Sequence, residues 1–197
     1  MINHPSPNFD ERPSQTPIDM LVLHYTGMQT GQEALERLCD PEAKVSAHYL
    51  IEEDGRIFQL VEESKGAWHA GVSYWRTHTN INARSIGVEI VNPGHDWGYR
   101  PFPEAQIQSV ITLCQDILSR HPIEPRNVVG HSDVAPTRKT DPGELFPWQR
   151  LAENKIGLWP FPTKANHTTL QDYGYDISGY EAAMTAYRRH FEPASFA

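Results

Sequence analysis

Ile18-Asp-Met-Leu-Val-Leu-His24 is a short, nearly continuous apolar run that ends on a histidine. A run of that length with a polar end is the signature of a buried central strand. Working outward, Ser46–Glu52 (SAHYLIE) and Arg56–Val61 (RIFQLV) flank Asp54-Gly55, which predicts a strand, a tight turn and a strand. Ser85–Val91 (SIGVEIV) and Asn127–His131 read as two further strands. Between them, Thr30-Gly-Gln-Glu33 forms a capping box ahead of Ala34, Leu35 and Leu38, predicting a short helix. Glu104–His121 carries Ile107, Val110, Ile111, Cys114, Ile117 and Leu118 at helical spacing. Pro147–Glu153 reads as a short helix started by its proline. Strands interleaved with helices predict an α/β domain with a central mixed β-sheet flanked by helices. The parallel pairs need crossovers, and the Asp54-Gly55 hairpin adds an antiparallel pair.

The 197 residues suit one domain with a full hydrophobic core and a small appendage. Residues 1–17 are polar and proline-rich, an extended lead-in. Residues 63–82 and 92–103 show little periodicity and read as long loops, the kind that line sites on a rigid scaffold. Residues 1–160 are expected to form the main domain, with its core at about 18–155, and Trp159-Pro-Phe-Pro-Thr163 reads as a linker. Residues 161–197 then form a short C-terminal helical extension with Tyr180, Met184, Tyr187 and Phe191 on one helix face. That tail is too short to bury a core of its own, so it packs on the main domain, pairs with a partner, or belongs to something longer.

The formal charge of −8 argues against a nucleic-acid partner, which wants clustered Lys and Arg. Cys39 and Cys114 fall in helical stretches and read as small buried hydrophobes of a reducing compartment rather than a disulfide framework. The N-terminal residues show no apolar core of signal-peptide length, and no window approaches the ~20 apolar residues of a membrane span. The expectation is a cytoplasmic monomer without a membrane span, a periplasmic location being the alternative.

The chemistry concentrates in His131–Gly143, HSDVAPTRKTDPG, a Pro- and Gly-punctuated loop after the apolar Val128-Val129. Its His131 and Asp141, together with His24, are the right number and type of ligands for a catalytic zinc, which uses three protein ligands and keeps a fourth position open. The chain has ten histidines, so His24 alone would mean little; the combination gives it weight. Pro142-Gly143 would fix a turn that aims the Asp141 carboxylate, although Asp141 could equally cap a helix or turn. Glu89 interrupts an apolar strand. Facing a cleft, it would have a raised pKa and could act as a general base; facing solvent, it would be an ordinary ion-paired strand residue. Lys139, two residues before Asp141, could stabilise charge growing on a carbonyl oxygen or be an exposed loop lysine.

Five segments together make the chain recognisable: LVLHYTG at 21–27, VSAHYLIEEDGRIFQLV at 45–61, AWHAG at 67–71, NARSIGVEIVN at 82–92 and GHSDVAPTRKTDPG at 130–143. In order and content they resemble the type 2 N-acetylmuramoyl-L-alanine amidases, a family related to the peptidoglycan recognition proteins. The resemblance implies their α/β fold, a Zn2+ ion held by His24, His131 and Asp141, a catalytic Glu89 and a catalytic Lys139. Asp141, where some relatives carry cysteine, matches the bacterial branch. It further implies hydrolysis of the amide between N-acetylmuramic acid and L-alanine in peptidoglycan fragments (muropeptides). Tyr25, Trp68, His69 and Arg84 are candidates for the substrate cleft, and His48 reads as structural. The tail, LQDYGYDISGYEAAMTAYRRHFEP, resembles the opening of a peptidoglycan-binding helical module. The competing expectation is a non-catalytic peptidoglycan sensor on the same fold, against which the full set of five site residues argues. Within the enzyme class, recycling of released 1,6-anhydro muropeptides is favoured over trimming of intact wall.

Overall fold

A computed structural model describes residues 1–196 of the chain. The N-terminal segment carries β1 (Ile2–Asn3) and β2 (Phe9–Glu11), followed by β3 (Met20–Tyr25) and α1 (Gly31–Cys39). Then come β4 (Tyr49–Ile51), β5 (Ile57–Gln59), β6 (Lys65–Ala67), β7 (Ser85–Ile90), α2 (Gly94–Trp97) and α3 (Glu104–Arg120). The rest comprises β8 (Val128–Gly130), α4 (His131–Val134), α5 (Trp148–Glu153), α6 (His167–Tyr173) and α7 (Tyr180–Phe191).

Six strands form one sheet in the order β1-β5-β4-β7-β3-β8. Only the β4–β5 pair, joined by the Asp54-Gly55 turn, is antiparallel, so the sheet is mixed. Gly55 has φ +87°, and a Cβ there would lie 2.9 Å from the Ala105 carbonyl oxygen. The turn therefore needs glycine both for its backbone and for docking on α3, where the Ser109 hydroxyl donates to the Gly55 carbonyl at 2.7 Å. The capping box at the start of α1 is present, with Glu33 N–H donating to Thr30 Oγ1 at 3.2 Å.

Strand periodicity divides the core between the two faces. Leu21, Leu23, Ile86, Val88, Ile90 and Val128 pack under Ile107, Val110, Ile111, Cys114 and Ile117 of α3. On the other face Met20, Val22 and Val129 meet Leu170, Tyr173, Ala183, Ala186, Tyr187 and Phe191 of the C-terminal helices. The tail thus packs on the sheet and shares its core. Farther along the same face, Ala34, Leu35 and Leu38 of α1 cover Leu50 and Phe58.

Three expectations need correction. The extended lead-in is part of the sheet structure: β1 pairs with β5, and β2 pairs with β6. The supposed loop 63–82 accordingly begins with a strand, and residues 92–103 contain α2. The last strand stops at Gly130, and His131 opens a helical turn instead of closing the strand. Weak periodicity hid the edge pairings, which depend on backbone partners distant in sequence. Cys114 is buried and Cys39 half-buried, both as free thiols. Among the described residues, no helix is long and apolar enough to cross a membrane.

Candidate active site

The parallel register of β3 and β7 sets His24 beside Glu89, so both side chains leave the same sheet face near the strands' C-terminal ends. On the other flank of β3, Leu23 is paired with Gly130, which puts the next residue, His131, alongside the end of β3. The loop after α4 returns to this point, and Ser132 N–H donates to the Asp141 carbonyl at 2.9 Å. Three segments far apart in sequence thus converge. His24 Nδ1 lies 2.9 Å from His131 Nδ1 and 3.1 Å from Asp141 Oδ2, and His131 Nδ1 lies 3.1 Å from the same oxygen. All three residues are buried.

This triangle fits a divalent metal ion. Ligands bonded at about 2.0–2.2 Å to a tetrahedral ion stand about 3.3–3.6 Å apart, somewhat wider than the spacing found. His131 Nε2 lies 3.1 Å from the Ala70 carbonyl oxygen, which can only accept. His131 therefore donates there and keeps a lone pair on Nδ1, facing the triangle. Burial first, and then the neighbouring His131, lower the His24 pKa to about 4, so its imidazole is held in the neutral, metal-binding form.

A cavity of roughly 370 Å³ opens onto the triangle. His131 and Asp141 line it together with Glu89, Lys139, Tyr25, Trp68 and His69. Glu89 faces this cleft, and no ion pair to it is found among the described residues. Its Oε2 is buried without a hydrogen-bond partner. Burial pushes its carboxyl well above the ordinary range, the Asp141 carboxylate adds to the rise, and Lys139 opposes it. Lys139 sits in the turn after α4, its backbone N–H donating to the Ala135 carbonyl at 3.0 Å. The Tyr25 hydroxyl lies 2.8 Å from Thr140 Oγ1 and 2.9 Å from His95 Nδ1. Trp68 Nε1–H donates to Asp10 Oδ2 at 2.8 Å, which pins the indole to the N-terminal segment.

Arg84, expected at the cleft, is elsewhere. It immediately precedes β7, at the end of the sheet away from Glu89, where it pairs with Asp19 and lines a separate cavity beside Glu124. His48 is buried, its Nδ1 accepting from Gly87 N–H at 2.9 Å and its Nε2 lying 3.1 Å from the Lys65 carbonyl. It ties β4, β6 and β7 together.

The sequence profile of the N-acetylmuramoyl-L-alanine amidases matches residues 14–144. The chain belongs to this family. The amidase is 39% identical to the N-acetylmuramoyl-L-alanine amidase AmiD of Escherichia coli (strain K12), over 91% of this chain and 76% of that protein. It is 37% identical to the 1,6-anhydro-N-acetylmuramyl-L-alanine amidase AmpD of the same strain, over 75% of this chain and 87% of that one. Its fold matches the solved complex of E. coli AmiD with anhydro-N-acetylmuramic acid-L-Ala-D-gamma-Glu-L-Lys. That match has a TM-score of 0.80 and 36% identity, covering 95% of this chain and 90% of that one.

Several residues that shape the amidase site escaped the sequence reading. Asn82 Oδ1 accepts from the N–H groups of His69 and Ala70, at 3.2 and 2.8 Å. Ser85 lies 2.9 Å from His69, and Asp133, Tyr175 and His190 meet behind His131. Ser85 carried a readable signal, since alternation puts Ser85, Gly87 and Glu89 on one strand face. The contacts of Tyr175 and His190 with Asp133 carried none.

Proposed function

We propose that this amidase holds a zinc ion with His24, His131 and Asp141 and hydrolyses the amide between the lactyl group of N-acetylmuramic acid and L-alanine in peptidoglycan fragments, 1,6-anhydro forms included. The observation that carries the reading is the meeting of the three ligand atoms beside a cavity that His131, Asp141, Glu89 and Lys139 line. Two imidazoles and one carboxylate are a donor set suited to catalytic zinc. When bound, the ion supplies Lewis-acid polarisation of the carbonyl and activation of water.

The chain's own residues do the rest. Glu89, with its elevated proton affinity, takes the proton from the attacking water and passes one to the departing amine as the C–N bond breaks. The Lys139 ammonium stabilises the negative charge that grows on the carbonyl oxygen. Arg37, on the cavity wall, suits the carboxylates of a stem peptide. The relatives named above act on muramyl-L-alanine amides or bind such a fragment by their printed descriptions, which supports the same substrate class here.

The setting that goes with this reading is recycling of released fragments by a cytoplasmic monomer; the free thiols of Cys39 and Cys114 accord with a reducing compartment. The test uses an anhydro-muramyl tripeptide with chelated and zinc-reloaded protein, followed by mass spectrometry. Release of free peptide by the reloaded protein alone is expected, and full turnover after exhaustive chelation overturns the reading. Faster turnover of soluble anhydro-muropeptides than of intact sacculi is expected of a recycling enzyme, and the reverse order overturns that role.

A further inference from the structure

A neutral imidazole can offer a lone pair at Nδ1 only if its proton sits on Nε2. For His131 the Ala70 carbonyl settles the matter. For His24 it does not, because the partner of Nε2 is another imidazole nitrogen, His69 Nδ1 at 3.0 Å, which could donate or accept. The tautomer of His24 is therefore set by that of His69.

His69 is itself held from behind. Its Nε2 lies 2.9 Å from Ser85 Oγ, and Ser85 Oγ lies 2.7 Å from the Ile81 carbonyl oxygen. A carbonyl only accepts, so the single hydroxyl hydrogen of Ser85 goes to Ile81, and Ser85 Oγ accepts from His69 Nε2–H. That leaves His69 Nδ1 unprotonated and able only to accept, from His24 Nε2–H. The lone pair of His24 Nδ1 is then free to face His131 and Asp141. We infer that His69 and Ser85 form a tautomer relay that presets His24 for metal binding, which makes both of them positioning residues of the metal centre.

The surroundings leave the relay little freedom. Ser85, His24 and His69 are all buried, so bulk water does not compete for these hydrogen bonds. The His69 ring lies directly on the backbone of β7, where a Cβ at Gly87 would come within 2.4 Å of His69 Cγ. Asn82 fixes the backbone N–H groups of residues 69 and 70. The dipeptide His69-Ala70 thus gives each ligand imidazole its acceptor, a side-chain nitrogen for His24 and a carbonyl for His131.

The inference rests on the metal-centre reading, but it can be tested separately. Ser85→Ala removes an acceptor two hydrogen bonds away from the ligand atom and allows His69 to carry its proton on Nδ1. Zinc affinity, measured by chelator competition, should fall about 10- to 100-fold, the usual effect of losing a partner behind a metal ligand. Nitrogen-15 NMR of the metal-free protein should show His24 as the Nε2–H tautomer in the parent chain and a shift away from it in Ser85→Ala. His69→Asn offers an amide oxygen near the Nδ1 position and has no second tautomer. In that background, Ser85→Ala should cost no further zinc affinity. An unchanged His24 tautomer in Ser85→Ala, or an equal loss of affinity in both backgrounds, overturns the relay. A parent chain that fails to bind zinc would instead count against the metal-centre reading, since the tautomer measurement needs no metal.

Discussion

His190 Nδ1 lies 2.8 Å from Asp133 Oδ2, and this contact joins the C-terminal helix α7 to the turn that carries His131. Asp133 is fully buried, and its carboxylate oxygen accepts while His190 donates. The same carboxylate accepts the Tyr175 hydroxyl at Oδ1 and the Gly130 N–H at Oδ2, each at 2.7 Å. The His190 ring also stacks on Trp148, with centroids 3.8 Å apart. Asp133 stands two residues beyond His131. The tail therefore braces the loop that supplies two of the three proposed metal ligands.

Breaking that brace should be costly. His190→Ala removes a donor from a buried carboxylate and opens space beside Trp148, so a loss of about 3 kcal/mol is expected. Tyr175→Phe removes only a hydroxyl and should cost about 1–3 kcal/mol. Chemical denaturation of the metal-free protein measures both. A chain ending at residue 160 that unfolded at the parent midpoint would show that the tail is no brace.

Glu89→Gln keeps the shape of the side chain and removes its proton-carrying capacity. Turnover of a muramyl tripeptide should drop by about 10²- to 10⁴-fold, the usual contribution of general acid–base catalysis. Zinc content should stay at the parent level, because Glu89 is outside the ligand triangle. Parent-level turnover would remove Glu89 from the mechanism.

Much of this site could be read from the residues themselves, because the chemistry sits where strands end. His24 closes the apolar run 18–24, Glu89 interrupts another, and the family resemblance joined them to His131, Lys139 and Asp141. What stayed hidden depends on long-range pairing. The pairing of β1 with β5 and of β2 with β6 is made by backbone hydrogen bonds that leave no periodic trace in so short a segment. Arg84 falls in the matching segment 82–92, but it precedes β7 and so stands at the end of the strand away from Glu89, beside Asp19. Nothing in the sequence singled out Tyr175 or His190, and only the folded chain shows that both point at Asp133.

Metal binding should appear as stability. Zinc at 100 times its dissociation constant should raise the unfolding free energy by about 2.7 kcal/mol through linkage. Asp141→Ala removes one corner of the triangle and should abolish most of that gain. Denaturant midpoints with and without zinc provide the comparison, and an equal gain in the variant would place the ion elsewhere.

Acid should expose a second, structural carboxylate. Burial pushes Glu63 upward, but hydrogen bonds from Arg120, His121 and Tyr49 outweigh it and lower its pKa to about 2. The three contacts, at 2.8, 2.7 and 2.8 Å, tie the end of α3 to β4. The folded pKa lies below the ordinary value of about 4.3 for an unfolded glutamate, so folding favours the ionised form. The stabilisation is therefore fully present above about pH 4.3 and disappears as the pH falls through about 2. Glu63→Gln should cost about 1–3 kcal/mol near neutral pH. The gap between parent and variant should close on the way down to about pH 2, because protonation of Glu63 removes the charge in the parent as well. Urea midpoints of the two metal-free proteins across that range test this, and a gap that stays constant throughout would mean the network does not depend on an ionised Glu63.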